Sequence, residues 1–216
     1  MTIVAFDFDG TLSPSEMTVL LGERRRVADE MAAITERAMN DEIDYPTSLR
    51  KRARILEGLP VDDADAAFHS VTLRPGAGEL LADLRDAGVE TAILTGGFER
   101  GVEIALANVG VTVDHVVANR LPRSGETLTG DVEGPLLEGT KDEALATLVE
   151  AAGGNPTTVA VGDGANDRPM LEAADVAIGF DPKPAVTDVC DETVSSIAEL
   201  RERFEEMGLL EEGDRR

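Results

Sequence analysis

Strand and helix patterns alternate strictly along the chain from residue 77 onward, and this alternation constrains the fold more than any other feature. Helical spacing over residues 77–87 precedes an apolar run over 89–94. A helical segment that ends at Val109 precedes a second apolar run over 113–117. Parallel sheets covered by helices on both faces have this order of elements. We therefore expect an α/β fold with a Rossmann-like core.

Further segments extend this pattern towards both ends of the chain. Apolar runs predict strands over residues 2–6, 157–161 and 176–178, with the last of these as the final strand. Helical spacing predicts helices over 143–152 and 197–207. In such folds, ligands bind beyond the carboxyl ends of the strands.

The stretch between the first strand and residue 75 is predicted to be helical and to form a separate unit. Apolar positions recur at three- and four-residue spacing over 24–39 and 47–56, and no strand pattern occurs before Pro75. Proline and glycine mark a hinge on each side of this stretch. We therefore predict a core formed by residues 1–13 and 75–210, a helical cap over 14–74, and a frayed tail over 211–216.

The charge of the chain limits the partners that it can bind. Its 216 residues include 43 acidic and 20 basic side chains, and the net charge of −23 argues against nucleic acid or an anionic membrane as a partner. Only Lys51, Lys141 and Lys183 among the basic residues are lysines. This composition predicts adaptation to high salt, where an acidic surface stays soluble and screening weakens self-repulsion.

Other sequence features favour a cytoplasmic location. No apolar run approaches the roughly 20 residues of a membrane span, and the chain begins with a strand pattern where a signal peptide would have basic and apolar regions. The single cysteine, Cys190, cannot form an internal disulfide, which fits a reducing compartment. We expect a cytoplasmic protein without a membrane partner.

Two aspartates follow the first predicted strand at a spacing of two residues. Asp7 and Asp9 come directly after the apolar run, and Gly10 allows the backbone to turn away. Two neighbouring carboxylates need a divalent cation, a proton or a basic partner, and Mg²⁺ is the natural cation for oxygen ligands. Taken alone, a buried strand that ends in an Asp-rich turn explains the same residues equally well.

Polar groups also follow two later strands. The segment Thr95-Gly96-Gly97 follows the run over 89–94, and Asp163 follows the run over 157–161. Because the carboxyl ends of parallel strands lie along one edge of a sheet, these groups are expected to meet the first two aspartates there. Their shared position favours a functional site over three unrelated turns.

Together these groups suit phosphoryl transfer, which depends on positioning and on charge neutralisation around the transferred oxygens. The Thr95 hydroxyl and the Gly96 backbone N–H could hold phosphate oxygens. Lys141 would neutralise charge on the nucleophile and the phosphate, and Asp163 would complete a metal site with Asp7. The chain has no G-x-x-x-x-G-K-[ST] phosphate loop as an alternative.

Four short motifs occur in a fixed order along the chain. They are Asp-Phe-Asp-Gly-Thr-Leu from residue 7, Thr-Gly-Gly-Phe from residue 95, a lone lysine at 141, and Gly-Asp-Gly-Ala-Asn-Asp from residue 162. This set resembles the haloacid dehalogenase superfamily. Within it, the chain is similar to the phosphoserine phosphatase family from Thr2 to about Leu200, on the basis of Glu16 and the segments 45–52, 118–121 and 128–134. The acidic composition fits a member from a halophilic archaeon.

The resemblance implies a Mg²⁺-dependent phosphatase that hydrolyses the small phosphomonoester O-phospho-L-serine in the biosynthesis of L-serine. Asp7 would be the nucleophile that forms an aspartyl-phosphate, and Asp9 the general acid and base. One Mg²⁺ per active site would be held by Asp7, the backbone carbonyl of Asp9, and Asp163. Asn166 and Asp167 would contribute to the surroundings of the phosphate and the metal.

The resemblance also assigns substrate contacts to the cap. Glu16 would pair with the substrate ammonium and Arg52 with its carboxylate, for which arginine offers a bidentate match. Met39 and Tyr45 would close apolar surface over the substrate and exclude water. Without the resemblance, Glu16 and Arg52 read as an ordinary surface pair and Met39 as core packing.

Two other functions stay open at this level. The first is a phosphatase or phosphotransferase of the same superfamily that acts on another small phosphomonoester. The second is a non-catalytic domain that accepts a phosphoryl group, since receiver domains also use an aspartate, Mg²⁺ and a lysine. Asp9 and the cap argue against the second, because such a domain has no proton donor and no use for a lid. The sequence leaves the oligomeric state open between monomer and homodimer.

Overall fold

A six-stranded sheet forms the centre of the computed structural model, which describes residues 1–138 and 140–211. In chain order, the described strands are β1 (Thr2–Phe6), β2 (Glu90–Phe98), β3 (His115–Asn119), β4 (Arg123–Ser124), β5 (Thr127–Leu128), β6 (Thr157–Gly162), β7 (Val176–Phe180) and β8 (Glu192–Val194). The sheet has the order β3-β2-β1-β6-β7-β8 with every neighbouring pair parallel, while β4 and β5 form a separate hairpin. The predicted α/β fold is confirmed.

Helices cover both faces of the sheet and build the cap. In the described residues they are α1 (Met17–Arg25), α2 (Ala28–Met39), α3 (Tyr45–Ile55), α4 (Val61–Phe68), α5 (Ala77–Asp86), α6 (Glu99–Val109), α7 (Lys141–Ala152), α8 (Arg168–Ala173) and α9 (Ile197–Glu206). The first four lie in the segment that is predicted to form the cap. None of the helices in the described residues combines the length and the apolar character that a membrane span requires.

Strand β1 shows why helices cover both faces of the sheet. Side chains alternate between the two faces of a strand. Val4 and Phe6 therefore belong to one core, with residues of α5, α6 and α9, and Ile3 and Ala5 belong to a second core, with residues of α7 and α8. All four side chains are fully buried. Burial on both faces produces a continuous apolar run, which is why this strand is predictable from the sequence.

The cap begins with two helices where apolar spacing predicts one. The spacing continues from residue 24 to 39, but Arg26 adopts a left-handed conformation with φ of 61° and ends α1. The N–H of Arg26 donates to the carbonyl of Glu23, and that of Val27 donates to Gly22. The prediction of one helix over 24–39 is therefore wrong, because apolar periodicity does not report a local backbone reversal.

Two strand predictions also need correction. Residues 95–97 belong to the end of β2, although the predicted strand ends at residue 94. A further strand, β8, follows β7, so the run over 176–178 is not the final one. Only Val194 of the three residues in β8 is buried, and so short a pattern gives no strand period to recognise. Of the tail predicted over 211–216, residues 212–216 lie outside the described part of the chain.

The β4–β5 hairpin is bonded to the cap. The N–H of Gly58 donates to the carbonyl of Leu128, whose own N–H donates to the carbonyl of Leu59, each at 2.9 Å. These bonds cross the predicted boundary between the cap, residues 14–74, and the core that resumes at residue 75. We propose that the hinges lie at this boundary and that the β4–β5 hairpin stays bonded to the cap.

Candidate active site

The carboxyl ends of β1, β2, β6 and β7, called the rim below, face the cap across one small pocket. Its lining residues are Asp7, Asp9, Glu16, Thr18, Met39, Tyr45, Leu49, Arg52, Thr95, Gly96, Gly97 and Asn166. All the predicted site residues except Lys141, Asp163 and Asp167 are in this set. Those three are linked to Asp7 by hydrogen bonds, so the structure brings the whole predicted set together.

Lys141 lies between two aspartates beneath the pocket. At the start of α7, its Nζ donates to Asp7 Oδ1 at 2.6 Å and also to Asp167 Oδ1. All three side chains are buried. Burial opposes the ammonium charge, but Asp167 and Asp7 have the larger combined effect and raise the pKa of Lys141 above its usual value. Lys141 is therefore a permanent positive charge beside Asp7.

Asp167 connects this pair to the end of β6. Its Oδ2 accepts from the N–H groups of Asp163 and Gly164, at 2.8 and 2.9 Å. A Cβ at Gly162 would lie 2.6 Å from the Asp167 side chain, which explains the glycine there. The sequence indicates only a supporting part for Asp167, but its geometry orients both Lys141 and the backbone that carries Asp163.

The carboxylates of the rim fit a divalent cation. Oxygens of Asp7, Asp163 and Asp167 lie within 4.8 Å of one another, and all three residues are buried. Burial and repulsion from Asp167, partly offset by Lys141, raise the pKa of Asp7 to about 7. Burial and Asp167 likewise raise the pKa of Asp163 to about 7. A cation such as Mg²⁺ would favour the charged carboxylates and lower both pKa values.

Asp9 has a different environment from Asp7. Its Oδ2 accepts from the N–H of Met17 at 3.2 Å, at the start of α1. Its Oδ1 is buried and has no hydrogen-bond partner among the described residues. Burial, with repulsion from Glu16 and Asp7, raises the pKa of Asp9 well above its usual value. A carboxyl group that keeps its proton in this way can act as a general acid.

The turn after Asp9 depends on Gly10 and is held by Arg74. Gly10 has φ of 88°, and a Cβ on it would lie 2.7 Å from Asp163 Oδ2. Arg74 donates from Nε to the carbonyl of Thr11 and from Nη2 to the carbonyl of Gly10, both at 2.9 Å. The backbone that follows the two aspartates is therefore fixed from outside the pocket.

The end of β2 supplies donors that could hold a phosphate. Thr95 Oγ1 accepts from the N–H of Gly97 at 2.9 Å, so the hydroxyl proton is free to donate to another group. A side chain at Gly96 is excluded, since a Cβ would lie 1.7 Å from the Tyr45 hydroxyl. Opposite this segment, Asn166 is 7% exposed, and its Oδ1 has no hydrogen-bond partner among the described residues.

Arg52 is buried in the cap with part of its guanidinium unsatisfied. Its Nη1 donates to the hydroxyls of Thr18 and Thr35 at 3.1 and 2.9 Å. Its Nη2 has no partner within the described residues, although Arg52 is only 2% exposed. The guanidinium carbon lies 5.8 Å from the centre of the Tyr45 ring. A buried charged donor without a partner is costly, so this group is poised to bind an anion such as a carboxylate.

Three further cap residues complete the pocket opposite the rim. Glu16 precedes α1, and burial raises the pKa of its carboxyl, with Arg52 opposing the shift. Burial also raises the pKa of Tyr45 to about 12, so its hydroxyl stays protonated. Met39 Sδ would lie 2.6 Å from a Cβ on Gly164, so the cap and the rim are in close contact.

The structure adds polar residues that sequence patterns do not reveal. Lys183 follows β7 and forms an ion pair with Asp163, and its N–H donates to the Asp163 carbonyl at 2.8 Å. Its place three residues after a strand, in a chain with three lysines, is a sequence feature that could have indicated it. Thr18 and Thr35 have no such feature, because helical threonines are common and their contacts with Arg52 depend on the fold.

The match to known families defines the class of protein. Residues 4–172 match the family of haloacid dehalogenase-like hydrolases, and the chain belongs to it. The chain is 56% identical over 210 residues to the phosphoserine phosphatase of Halobacterium salinarum, covering 97% of this chain and 100% of that one. It is 37% identical over 191 residues to the phosphoserine phosphatase of Methanocaldococcus jannaschii, covering 88% of this chain and 90% of that one.

Solved structures agree with this relationship. A substrate-bound phosphoserine phosphatase complex superposes with a TM-score of 0.88 at 34% identity, over 93% of this chain and 97% of that one. A phospho-aspartyl intermediate analogue of phosphoserine phosphatase gives a TM-score of 0.87 with the same identity and coverage. Within the haloacid dehalogenase class, the chain therefore belongs to the phosphoserine phosphatase family.

Proposed function

We propose that this protein hydrolyses O-phospho-L-serine to L-serine and phosphate in a Mg²⁺-dependent reaction through an aspartyl-phosphate. The observation that carries the proposal is the shared pocket, in which the rim aspartates face the unsatisfied guanidinium of Arg52. Phosphoryl chemistry alone would need only the rim. A buried cation in the cap adds a site for a second anionic group on the same small substrate.

Each part of the substrate has a matching group in the pocket. Thr95, the Gly96 N–H and Asn166 would receive the phosphate oxygens, with Lys141 beneath them as the permanent positive charge. Arg52 would bind the carboxylate through Nη2, the guanidinium nitrogen that has no partner among the described residues. Glu16 would bind the ammonium, and Met39 and Tyr45 would exclude water over the serine carbons.

In the first step, an oxygen of Asp7 attacks the phosphorus of the substrate. The bond between phosphorus and the serine oxygen breaks, and Asp9 gives its proton to that oxygen as the bond is lost. L-serine is released, and the phosphoryl group stays on Asp7. The raised pKa of Asp9 suits this step, because the acid must be protonated when the substrate arrives.

In the second step, Asp9 acts in the opposite sense. Its carboxylate takes a proton from a water molecule, whose oxygen attacks the phosphorus of the aspartyl-phosphate. The bond between phosphorus and Asp7 breaks, and phosphate leaves with Asp9 protonated again. The two carboxylates therefore have separate roles that follow from their different partners, Lys141 for Asp7 and a backbone N–H for Asp9.

One Mg²⁺ would be held at the rim by Asp7, the backbone carbonyl of Asp9, and Asp163, with Asp167 beside them. The ion would supply charge neutralisation for the nucleophile and for the phosphate oxygens. Such a reaction would be the last step in the formation of L-serine, and this role would place the protein in the cytoplasm. Adaptation to high salt is also proposed, from the net charge of −23.

Phosphate release from a panel of phosphorylated small molecules, with Mg²⁺ in high salt, tests the function. O-phospho-L-serine should exceed analogues that lack its ammonium or its carboxylate by about 10²-fold in kcat/KM, because a hydrogen bond to a charged group contributes about 1.5–3 kcal/mol. A stronger preference for another phosphomonoester would contradict the proposal. Transfer of the phosphoryl group to an added alcohol in place of water would make the protein a phosphotransferase.

A further inference from the structure

Two segments that the proposed mechanism does not use pack against each other behind the phosphate-binding end of β2. They are residues 118–121 and 128–134, which carry part of the family resemblance. The N–H of Arg120 donates to the carbonyl of Glu133 at 2.7 Å, and the N–H of Glu133 donates back to Arg120 at 3.0 Å. This pairing brings Gly134 against Asn119, the last residue of β3.

The end of β2 leaves the regular ladder at the point where it enters the pocket. Leu94 pairs with Val117 and Phe98 pairs with Asn119, so three residues of β2 stand opposite a single residue of β3. Those three residues are 95–97, which supply the proposed phosphate donors. A bulge of this kind disrupts local pairing and re-aims the strand, and bulges are frequent next to active sites. The segment therefore needs support from another source than the ladder.

Asn119 provides that support through both ends of its side-chain amide. Its Nδ2 donates to the carbonyl of Gly96 at 3.0 Å, and its Oδ1 accepts from the N–H of Leu136 at 3.1 Å. The residue is fully buried, with 0% exposure. It thus joins the phosphate-binding bulge to the segment that precedes Lys141. Both connections go to backbone groups, which fixes position more firmly than contact with a mobile side chain.

Gly134 provides the space in which the Asn119 amide lies. It has φ of 148°, and a Cβ on it would lie 2.4 Å from Asn119 Oδ1 and 2.6 Å from Asn119 Cα. Any side chain at this position would push Asn119 away from Gly96. The glycine is therefore required by contact as well as by backbone conformation.

We infer that Asn119, packed on Gly134, is a positioning residue for the phosphate donors of residues 95–97. It fixes the Gly96–Gly97 peptide through the Gly96 carbonyl, and the N–H of that peptide bonds Thr95 Oγ1. Asn119 does not line the pocket, and it reaches the phosphate-binding residues through the Gly96 carbonyl. The inference depends on the proposed function, because it assigns residues 95–97 to the phosphate. A displacement of about 1 Å in such a group can lower a rate by about 10²-fold.

Replacing Asn119 by aspartate tests the amide donor. Asn119→Asp keeps the shape and the acceptor for Leu136 but places an oxygen against the Gly96 carbonyl. We expect kcat/KM for O-phospho-L-serine to fall by about 10²-fold and inhibition by inorganic phosphate to weaken by about tenfold. Asn108→Asp, the same change at an exposed position of α6, is the matched control and should leave both constants unchanged.

Replacing Gly134 by alanine tests the same contact without altering the amide. Gly134→Ala should weaken phosphate inhibition and lower kcat/KM in the same proportion as Asn119→Asp, because the added methyl displaces Asn119. Gly88→Ala is the matched control, since Gly88 also has positive φ but no atom lies within 4 Å of its Cβ position. It should lower the melting temperature alone.

Phosphate inhibition and kcat/KM together distinguish a positioning role of Asn119 from a purely structural one. Thermal melts show which variants are folded at the assay temperature, and folded variants are compared. If both test variants melt lower yet keep the wild-type phosphate inhibition and kcat, Asn119 is structural only and the inference is overturned. If Asn119→Asp does not fold, phosphate inhibition and kcat/KM of Gly134→Ala decide whether Asn119 has a positioning role. If the wild-type protein releases no phosphate from O-phospho-L-serine, the proposed function fails instead, and inhibition by phosphate against the accepted substrate still tests Asn119.

Discussion

The rim and the cap both present charged groups to the same pocket, but they satisfy those groups differently. On the rim, Lys141 is bonded to two carboxylates, and Asp167 also accepts two backbone N–H groups. In the cap, Nη1 of Arg52 donates to two threonine hydroxyls, and Nη2 has no partner in the described residues. The charged groups around the nucleophile are therefore paired without substrate, whereas the guanidinium in the cap is not fully paired. Two other rim atoms, Asp9 Oδ1 and Asn166 Oδ1, also have no partner among the described residues.

This difference separates chemistry from selection. A nucleophile fixed by a permanent positive charge is ready for any phosphomonoester that reaches it. A buried guanidinium with an unsatisfied donor favours only a substrate that brings an anion to it. Changes on the rim should therefore reduce turnover of every substrate, and changes in the cap should alter which substrate is turned over.

The largest effect is expected at the nucleophile. Asp7→Asn replaces the attacking carboxylate by a neutral amide, which is not a nucleophile, so phosphate release should fall by about 10⁴-fold or more for every substrate tested. Lys141 keeps an acceptor at this position but loses one of its two ion pairs. Steady-state phosphate release measures the fall in turnover, and a thermal melt shows that the variant is folded. Turnover near the wild-type rate in Asp7→Asn would rule out the covalent route.

A somewhat smaller loss is expected at the acid and base. Asp9→Asn keeps the shape and the position next to the Met17 N–H but cannot transfer a proton, so kcat should fall by about 10²–10⁴-fold. Calorimetric titration with O-phospho-L-serine should give unchanged affinity, because the cap is intact. If binding and turnover were lost together, Asp9 would be holding the substrate and not moving a proton.

The cap should respond in a substrate-specific way. Arg52→Ala should lower kcat/KM for O-phospho-L-serine by about 10²-fold. Arg52→Lys should recover only part of it, because lysine lacks the planar fork that keeps Nη1 on Thr18 and Thr35 while Nη2 faces the substrate. Activity on phosphoethanolamine, which has no carboxylate, should change little. Arg54→Ala is the matched control, since Arg54 lies on the same helix and is exposed.

Glu16 completes this comparison from the other end of the substrate. Glu16→Gln should spare phosphoglycolate, which has no ammonium, while it lowers kcat/KM for O-phospho-L-serine by about tenfold or more. Equal losses on all three compounds in the Arg52 and Glu16 variants would show that the cap supports the rim and does not select. Unchanged turnover of O-phospho-L-serine in both variants would remove the serine assignment.

The rim was largely predictable from the sequence because the order of elements determines it. Asp7, Thr95 and Asp163 each follow an apolar run, and parallel strands bring such positions to one edge whatever their order in the sheet. The structure adds the partners of each group. That Lys141 would lie between Asp7 and Asp167 depends on where α7 begins, and the helical spacing alone puts that start two residues too late.

The cap was predictable only as a helical segment. Its substrate contacts came from the family resemblance, since Glu16 and Arg52 by themselves have the pattern of a surface pair. The sequence also misses the break at Arg26, the strand β8, and the hydroxyls that hold Arg52. Each depends on a backbone reversal or on contacts between distant segments, which a local period of apolar residues does not report.

Mg²⁺ should stabilise the protein more at about pH 8 than at about pH 5. The folded carboxyls of Asp7 and Asp163 hold protons up to about pH 7, while the same groups in the unfolded chain lose them near 3.8. Between these values the unfolded state releases protons first, so stability without Mg²⁺ falls as pH rises and stays lower above about 7. Mg²⁺ binds the charged carboxylates and offsets that loss.

Thermal melts with and without Mg²⁺ at both pH values, in constant high salt, measure this difference. The gain in melting temperature at pH 8 should exceed the gain at pH 5 by several degrees. Asp163→Asn should reduce the difference, because it removes one of the two carboxyls with a raised pKa. An equal gain at both pH values would mean that the rim carboxylates are not the site of the ion.

The smallest expected effect concerns Lys183, the second positively charged side chain of the rim. Lys183 is about one third exposed and bonds Asp163 at the edge of the site, whereas Lys141 is buried between two aspartates. Lys183→Met removes a positive charge next to a proposed metal ligand, so the Mg²⁺ concentration that gives half of the thermal stabilisation should fall by about threefold to tenfold. Lys51→Met, at an exposed cap position, is the matched control and should leave it unchanged. Weaker Mg²⁺ binding in Lys183→Met would instead mean that Lys183 holds the Asp163 carboxylate in its ligating position. Lys183 and Lys141 would then both position carboxylates of the rim.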